Sequence, residues 1–402
     1  MAHDELIART EAADRVLGIR NSHRVLETEV VGIDVIDGRE LATDIVADAD
    51  QPAHSHATMD GFAFDATDSY PFEVIDEVYP EDEPPAIEPG EAVRIATGAP
   101  LPQRANAVLK REESDVSNDQ LTGSVIEPGT YVYERASNVA AGETLFNAGE
   151  RLAARDAILL RDLGYEEVEV GTRPTVGILA TGTEIHEGRS RDLDSPMLAG
   201  MVRRWGGEPS ITGTVPDDFE RVRDRIAELA AEYDVVVTTG GTSVGRKDYV
   251  VRALAELGEV DFHGVRIRPG KPIAVATLSD AVAFAIPGKP VGAHTIATAV
   301  MRPFFTGTTS LSAMEARFER HVAIPRSGFE YWIPVTLDAD AGTIRAMPFG
   351  HQDSALAVYE DTFNPSVLSS STRATRADGV VITETGLEAG ETVDVHPWSS
   401  FQ

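Results

Sequence analysis

From Arg173 onward the chain alternates apolar strand-like runs with amphipathic helical runs, and no other feature restricts its fold as much. TVGILAT is an apolar strand and SPMLAGMVRRWGG a helix ended by Gly-Gly. EPSITGTVP is a second strand, and DDFERVRDRIAELAAEY an amphipathic helix with an Asp at its start as N-cap. DVVVTTGG, PIAVATL and AVAFAIPG are further apolar strands; DYVVRALAELG and KPVGAHTIATAVMRPFF are further helices. Strands that are apolar throughout must be covered on both faces, so the pattern predicts a three-layer, doubly wound, mostly parallel sheet over residues 173–309.

The remaining chain reads as smaller pieces. Residues 48–135 hold short alternating runs between Pro, Gly and turn residues, the mark of an inserted small β domain. Residues 1–47 and 136–172 flank it as one discontinuous mixed α/β domain, opening with a helix that carries Leu6, Ile7, Ala13, Val16 and Leu17. Residues 310–402 are β again, a small barrel or sandwich.

Ligands of open α/β sheets bind at the carboxyl ends of the strands, where loops meet helix N-termini. Three such loops stand out, centred on Thr238–Pro272. In ATGTE, Thr181 and Gly182 make a tight turn and Glu184 supplies a carboxylate. In TTGGTSVGRKDY, Gly240 and Gly241 permit a nest of N–H groups for an anion, Ser243 adds a donor and Asp248 opens a helix. In RIRPGKP, Arg266, Arg268 and Lys271 surround a Pro-Gly turn, paired with Lys289 of IPGKP. Each loop alone also reads as an ordinary turn, a packing Gly-Gly or a solvated basic bend.

Charge tips the balance. The chain has 66 acidic and 35 basic residues, a formal net charge of −31, and its only lysines are Lys110, Lys247, Lys271 and Lys289. Abundant acid with scarce Lys reads as adaptation to high salt. Three of those rare lysines fall in the strand-end loops, which argues for one anion pocket. The same charge disfavours nucleic acid, and no run is long enough for a membrane span. The N-terminus has no signal-peptide core, so a cytoplasmic location is the default expectation. With no cysteine, a metal must be held by oxygen or imidazole, most simply Mg²⁺. His54 and His56 are an imidazole pair whose alternative is a solvated loop. GGTSVGRK lacks the Lys-Ser/Thr order of a Walker A loop, and no G-x-G-x-x-G follows a strand.

TTGGTSVGRKDY, RIRPGKP and IPGKP, with ATGTE upstream, closely resemble the molybdopterin-binding domain of molybdenum-cofactor assembly proteins. ATMDGFAF, RIATGAPLP and NAVLKREE resemble the inserted domain of the molybdopterin molybdenumtransferase family, relatives of the C-terminal part of gephyrin. The resemblance covers essentially the whole chain in the family's motif order. It implies an elongated homodimer that inserts molybdate into adenylylated molybdopterin and releases AMP with the help of Mg²⁺. It also implies a site shared between subunits and contacts with other cofactor-assembly proteins. Carried onto this sequence, it makes Asp248, Glu184 and Asp60 catalytic, with Asp248 and Glu184 as metal ligands. Thr97, Thr181, Gly182, Gly240, Gly241, Ser243, Gly245 and Lys247 then bind substrate, while Arg268, Lys271, Pro272 and Lys289 hold the oxyanion. Lys289 stands where the family commonly has Asn, Gly292 where a Ser often contacts the oxyanion, and Pro196 where Asn is usual. A tungstate-inserting paralogue and a non-catalytic molybdopterin-binding scaffold are the alternatives; the acids Asp60, Glu184 and Asp248 argue against the scaffold.

Overall fold

Side chains along the central strands point alternately to opposite faces, and here both faces meet helices. The computed structural model describes residues 6–23, 27–241, 249–340 and 342–401. The chain divides into two units, Met1–Glu27 with Thr172–Gln402, and Thr28–Gly171.

The larger unit is built on a six-stranded sheet in the order Glu208–Val215, Thr175–Thr181, Val235–Thr239, Val282–Ile286, Ala274–Leu278, Gly258–His263. The first four strands are parallel, and Ala274–Leu278 runs antiparallel to both its neighbours, so that Gly258–His263 shares the direction of the first four. Val235, Val237, Phe284 and Ile286 enter one core with Leu198, Val202, Ile296 and Phe304. Val236, Leu179, Ala283 and Ala285 enter the other with Val222, Ile226, Leu229 and Leu254. Burying each such Val, Leu, Ile or Phe contributes about 1.5–3 kcal/mol, so the two-sided alternation makes helix cover obligatory. Helix Phe219–Ala230 is capped as its sequence predicts, Asp218 accepting from Arg221 N at 3.0 Å. The antiparallel edge has a local cause. Only Ser279 and Asp280 lie between Leu278 and Ala281, whose backbones bond at 2.8 Å, and so short a link cannot hold a crossover helix.

Helix Arg9–His23 differs from its sequence reading. It buries Ala12, Val16 and Ile19 in the same core as Phe304 and Phe305, and falls in one unit with Thr172–Gln402. Leu6 and Ile7 lie before the helix; Ile7 bridges Val265, and Arg266 N donates to Ile7 O at 2.8 Å. The i, i+4, i+7 set of Ala12, Val16 and Ile19 is the true helical stripe, and the two leading apolar residues pair with an extended segment instead.

Residues beyond 310 resolve the barrel-or-sandwich choice. Strands Met314–Phe318, Glu330–Asp340, Thr343–Pro348, Gly379–Thr383 and Thr392–Pro397 pair in a closed ring of five, a barrel around Phe318, Tyr331 and Trp332. Ile267–Arg268 adds to this barrel in parallel, opposite Glu330 and Tyr331.

His294, on helix Pro290–Ile296, stands edge-on to the barrel's Trp398 with ring centroids 4.5 Å apart. Burial pushes its pKa from 6.5 down to about 4. The imidazole is therefore neutral when folded, and the unfolded chain takes up its proton first as pH falls. Its contribution is complete above about pH 6.5 and is lost between there and pH 4, up to about 3 kcal/mol. His294→Gln should flatten that part of the stability–pH curve. Denaturant titration read by tryptophan fluorescence tests it, since Trp205, Trp332 and Trp398 are the chain's three tryptophans and all lie in this unit; a parallel curve for the variant refutes it.

In the smaller unit, six strands run in the order Ala107–Lys110, Gly61–Phe64, Glu91–Ile95, Phe72–Val78, Gln120–Gly123, Ser114–Ser117. Phe62, Phe64, Phe72, Leu109 and Leu121 fill one core; Ala63, Val93, Ile95 and Val108 fill another. Thr28–Gly32 pairs with Glu167–Gly171 over a third, which includes Ile36, Leu41, Leu160 and Val170. Among the described residues, no helix is long and apolar enough to cross a membrane.

Candidate functional site

Parallel pairing sets the ends of three strands side by side, with Ala180 opposite Thr239 and Thr239 opposite Ile286. The loops that leave them touch. Thr181 Oγ1 donates to Thr239 O at 3.2 Å. A Cβ on Gly240 would lie 2.7 Å from Thr181 O, and one on Gly288 3.0 Å from Gly240 Cα. Gly240 and Gly241 have φ of 90° and 66°, so glycine is required there by conformation and by contact together. The structure thus gathers Thr181, Gly182, Gly240 and Gly241 as the sequence suggests, with one correction to the nest. Gly240 N–H donates to Ile286 O and Gly182 N–H to Val215 O, each at 3.0 Å. Those two amides serve the loops themselves, and among the described residues Gly241 N–H has no hydrogen-bond partner. Ser243, Gly245, Lys247 and Asp248 lie outside the described residues.

Glu184 is exposed on the short helix Thr183–His186. Beside it is an acid that the sequence reading passed over. Asp217 Oδ2 accepts from Thr183 N at 3.2 Å, and Thr183 Oγ1 accepts from Asp217 N at 3.0 Å. The signal was the Asp-Asp pair at a strand end, of which only Asp218 is needed as the cap. Two carboxylates on neighbouring loops suit Mg²⁺, which takes few protein ligands and keeps waters and substrate phosphate for the rest. Among the described residues no group of three metal-ligating side chains is gathered, His54 and His56 included.

Next to these loops lies a cavity of about 230 Å³, walled by Arg268, Gly270, Lys271, Pro272, Pro287, Lys289 and Gly292. The four residues expected to hold an oxyanion therefore share one wall. Arg268 is fixed from the barrel side: its backbone pairs with Tyr331, and its guanidinium lies 4.4 Å from the centre of the Phe329 ring. Its Nε is buried with no hydrogen-bond partner among the described residues. Lys289 Nζ reaches Ser366 O at 3.4 Å, and Val291 N donates to Ser369 O at 3.1 Å. Pro365, Ser366 and Ser369 close the cavity from the C-terminal region, for which the sequence reading named no site residue. A Cβ on Gly292 would stand 3.6 Å from Gly270 N, so a serine fits the space. Among the described residues, none of Arg268, Lys271 and Lys289 pairs with a carboxylate. In a chain of net charge −31, three cations that line one cavity with no carboxylate partner among the described residues suit an anion.

In the smaller unit Asp60 and Thr97 come together. Asp60 Oδ1 accepts from Thr97 N at 2.8 Å and from Thr97 Oγ1 at 2.7 Å. These bonds hold the Asp60 carboxyl below its ordinary pKa, leaving an exposed, ionised acid. His56 instead stacks edge-on with Tyr133 at 5.1 Å.

The chain is similar to known proteins. Residues 177–307 match the family described as "Probable molybdopterin binding domain", and residues 7–164 that described as "MoeA N-terminal region (domain I and II)". The molybdopterin molybdenumtransferase of Nostoc sp. is 32% identical over 285 residues, 66% of this chain and 65% of that protein. That of Synechococcus elongatus is 30% identical over 292 residues, 66% of this chain and 72% of its own. A crystal structure of a molybdopterin biosynthesis MoeA protein from Pyrococcus horikoshii superposes with a TM-score of 0.75 at 29% identity, covering 99% of this chain and all of that one.

Proposed function

Because the chain belongs to the molybdopterin molybdenumtransferase family, whose work is molybdenum-cofactor biosynthesis, we propose that it inserts molybdate into adenylylated molybdopterin and releases AMP. The observation that carries this is the cavity lined by three cations, none of which has an acidic partner among the described residues. Molybdate is a tetrahedral dianion and needs fixed positive donors. Arg268, Lys271 and Lys289 supply the charge, while Pro272 and Pro287 wall the space with apolar surface.

The adjoining Thr181–Gly182 and Gly240–Gly241 turns hold the phosphate-bearing part of the substrate, with Gly241 N–H, unpartnered among the described residues, as a backbone donor. Glu184, with Asp217 beside it and together with Asp248, orients the water that cleaves the phosphoanhydride. Mg²⁺ held by Glu184 and Asp248 would neutralise the charge that develops on the phosphates. The exposed Asp60–Thr97 pair serves as a further substrate element, delivered in a homodimer by the second copy. A cytoplasmic location, and transfer of the product to other cofactor-assembly proteins, complete the proposal.

The test is AMP release from adenylylated molybdopterin with molybdate, with tungstate or with neither. Molybdate should drive release; tungstate alone would identify a tungstate enzyme, and no response to either would favour the scaffold and overturn the proposal. The assay belongs at molar KCl, because an acidic, lysine-poor surface implies a halophilic protein. Full retention of the fold in dilute buffer would refute that part.

A further inference from the structure

Asp194 lies in the DSP segment that the proposed chemistry leaves unused. It opens helix Asp194–Arg204, yet it is not the cap of that helix. Asp192 Oδ1 accepts from both Asp194 N at 3.1 Å and Ser195 N at 3.0 Å, so the free amides are already satisfied. Asp194 instead turns inward and is 5% exposed. Its Oδ2 accepts from Thr239 Oγ1 at 2.9 Å, while its Oδ1 is buried with no partner among the described residues. Burial, reinforced by the nearby Asp192, raises its pKa against the opposing bond from Thr239. A protonated carboxyl fits this geometry, with one oxygen accepting and the other carrying the proton. Such a half-satisfied buried acid costs stability, so its presence calls for a task other than stabilisation.

The task is visible in what Thr239 does next. Thr239 O accepts from Thr181 Oγ1, and the residue after Thr239 is Gly240, packed against Thr181 O with no room for a Cβ. Asp194 thus anchors the residue from which both strand-end turns take their positions. Resting on the function proposed above, we propose that Asp194 is a positioning residue that holds the Thr181–Gly182 and Thr239–Gly241 turns in the geometry that receives the substrate's phosphate.

Asp194→Asn and Asp194→Ala in the full chain test this, since an amide retains the accepting oxygen and alanine does not. Amide hydrogen exchange is followed over residues 179–183 and 237–241, with AMP binding as the probe of the phosphate site. Alanine should speed exchange at the turns at least tenfold, leave protection of the strand interiors unchanged, and weaken AMP binding at least tenfold. Asparagine should stay within about twofold of wild type in both. Unchanged exchange at the turns in the alanine variant, or a uniform acceleration across the unit, overturns the inference. A wild type that does not bind AMP refutes the functional reading instead, and the exchange pattern still decides the role of Asp194.

Discussion

Arg268→Ala should lower molybdate-dependent AMP release by about 10²–10³-fold while leaving the fold intact, the loss typical of removing one preorganised donor from an oxyanion site. The expectation rests on how Arg268 is held. Its backbone is locked into the barrel sheet, its guanidinium lies over Phe329, and its Nε has no partner among the described residues. The donor is oriented before the ligand arrives, so little reorganisation is needed on binding. Arg268→Lys separates charge from geometry. It keeps the positive charge but loses the planar fork and the stacked face, and should fall between wild type and alanine. Steady-state kinetics across a range of molybdate concentrations, with a melting curve for each variant, give the answer. Turnover within threefold of wild type for a folded Arg268→Ala protein would remove the cavity from the mechanism.

The second large effect is on stability. Gly240→Ala should destabilise the larger unit by roughly 2–4 kcal/mol. Two causes add. A φ of 90° costs an alanine about 1–2 kcal/mol by itself. The new Cβ would also stand 2.7 Å from a backbone oxygen, Thr181 O, and the peptide cannot swing away because Gly240 N–H is bonded to Ile286 O. Gly188→Ala is the internal control, since its φ is 71° and nothing lies within 4 Å of the Cβ position. It should show the conformational cost alone, about 1 kcal/mol. Denaturant unfolding by tryptophan fluorescence reads both. Equal losses at the two sites would mean that the contact between the turns is not tight.

The types of the elements and the faces they bury were legible in the sequence because both depend on neighbours within a few residues. Val235, Val236 and Val237 alternate between two cores as the apolar run requires, and Asp218 caps its helix as the local pattern demands. The uneven use of lysine pointed to the loops that now share a cavity wall, because composition records where a rare cation was kept.

Other features depend on residues far apart in the chain, and only the tertiary structure decided them. Helix Arg9–His23 finds its partner at Phe304 and Phe305, nearly three hundred residues on, and nothing local specifies which apolar surface it covers. Arg268 is aimed by Phe329 and Tyr331, and the cavity is closed by Ser366 and Ser369, because the barrel adds the Ile267–Arg268 segment to its sheet. The same holds for the Gly-Gly turn. Its glycines were readable, but which N–H group is already spent depends on the parallel register, which assigns Gly240 N–H to Ile286 O. Periodicity determines an element and its buried face; register and closure determine which polar atoms are left for chemistry, and those are set by contacts between distant segments.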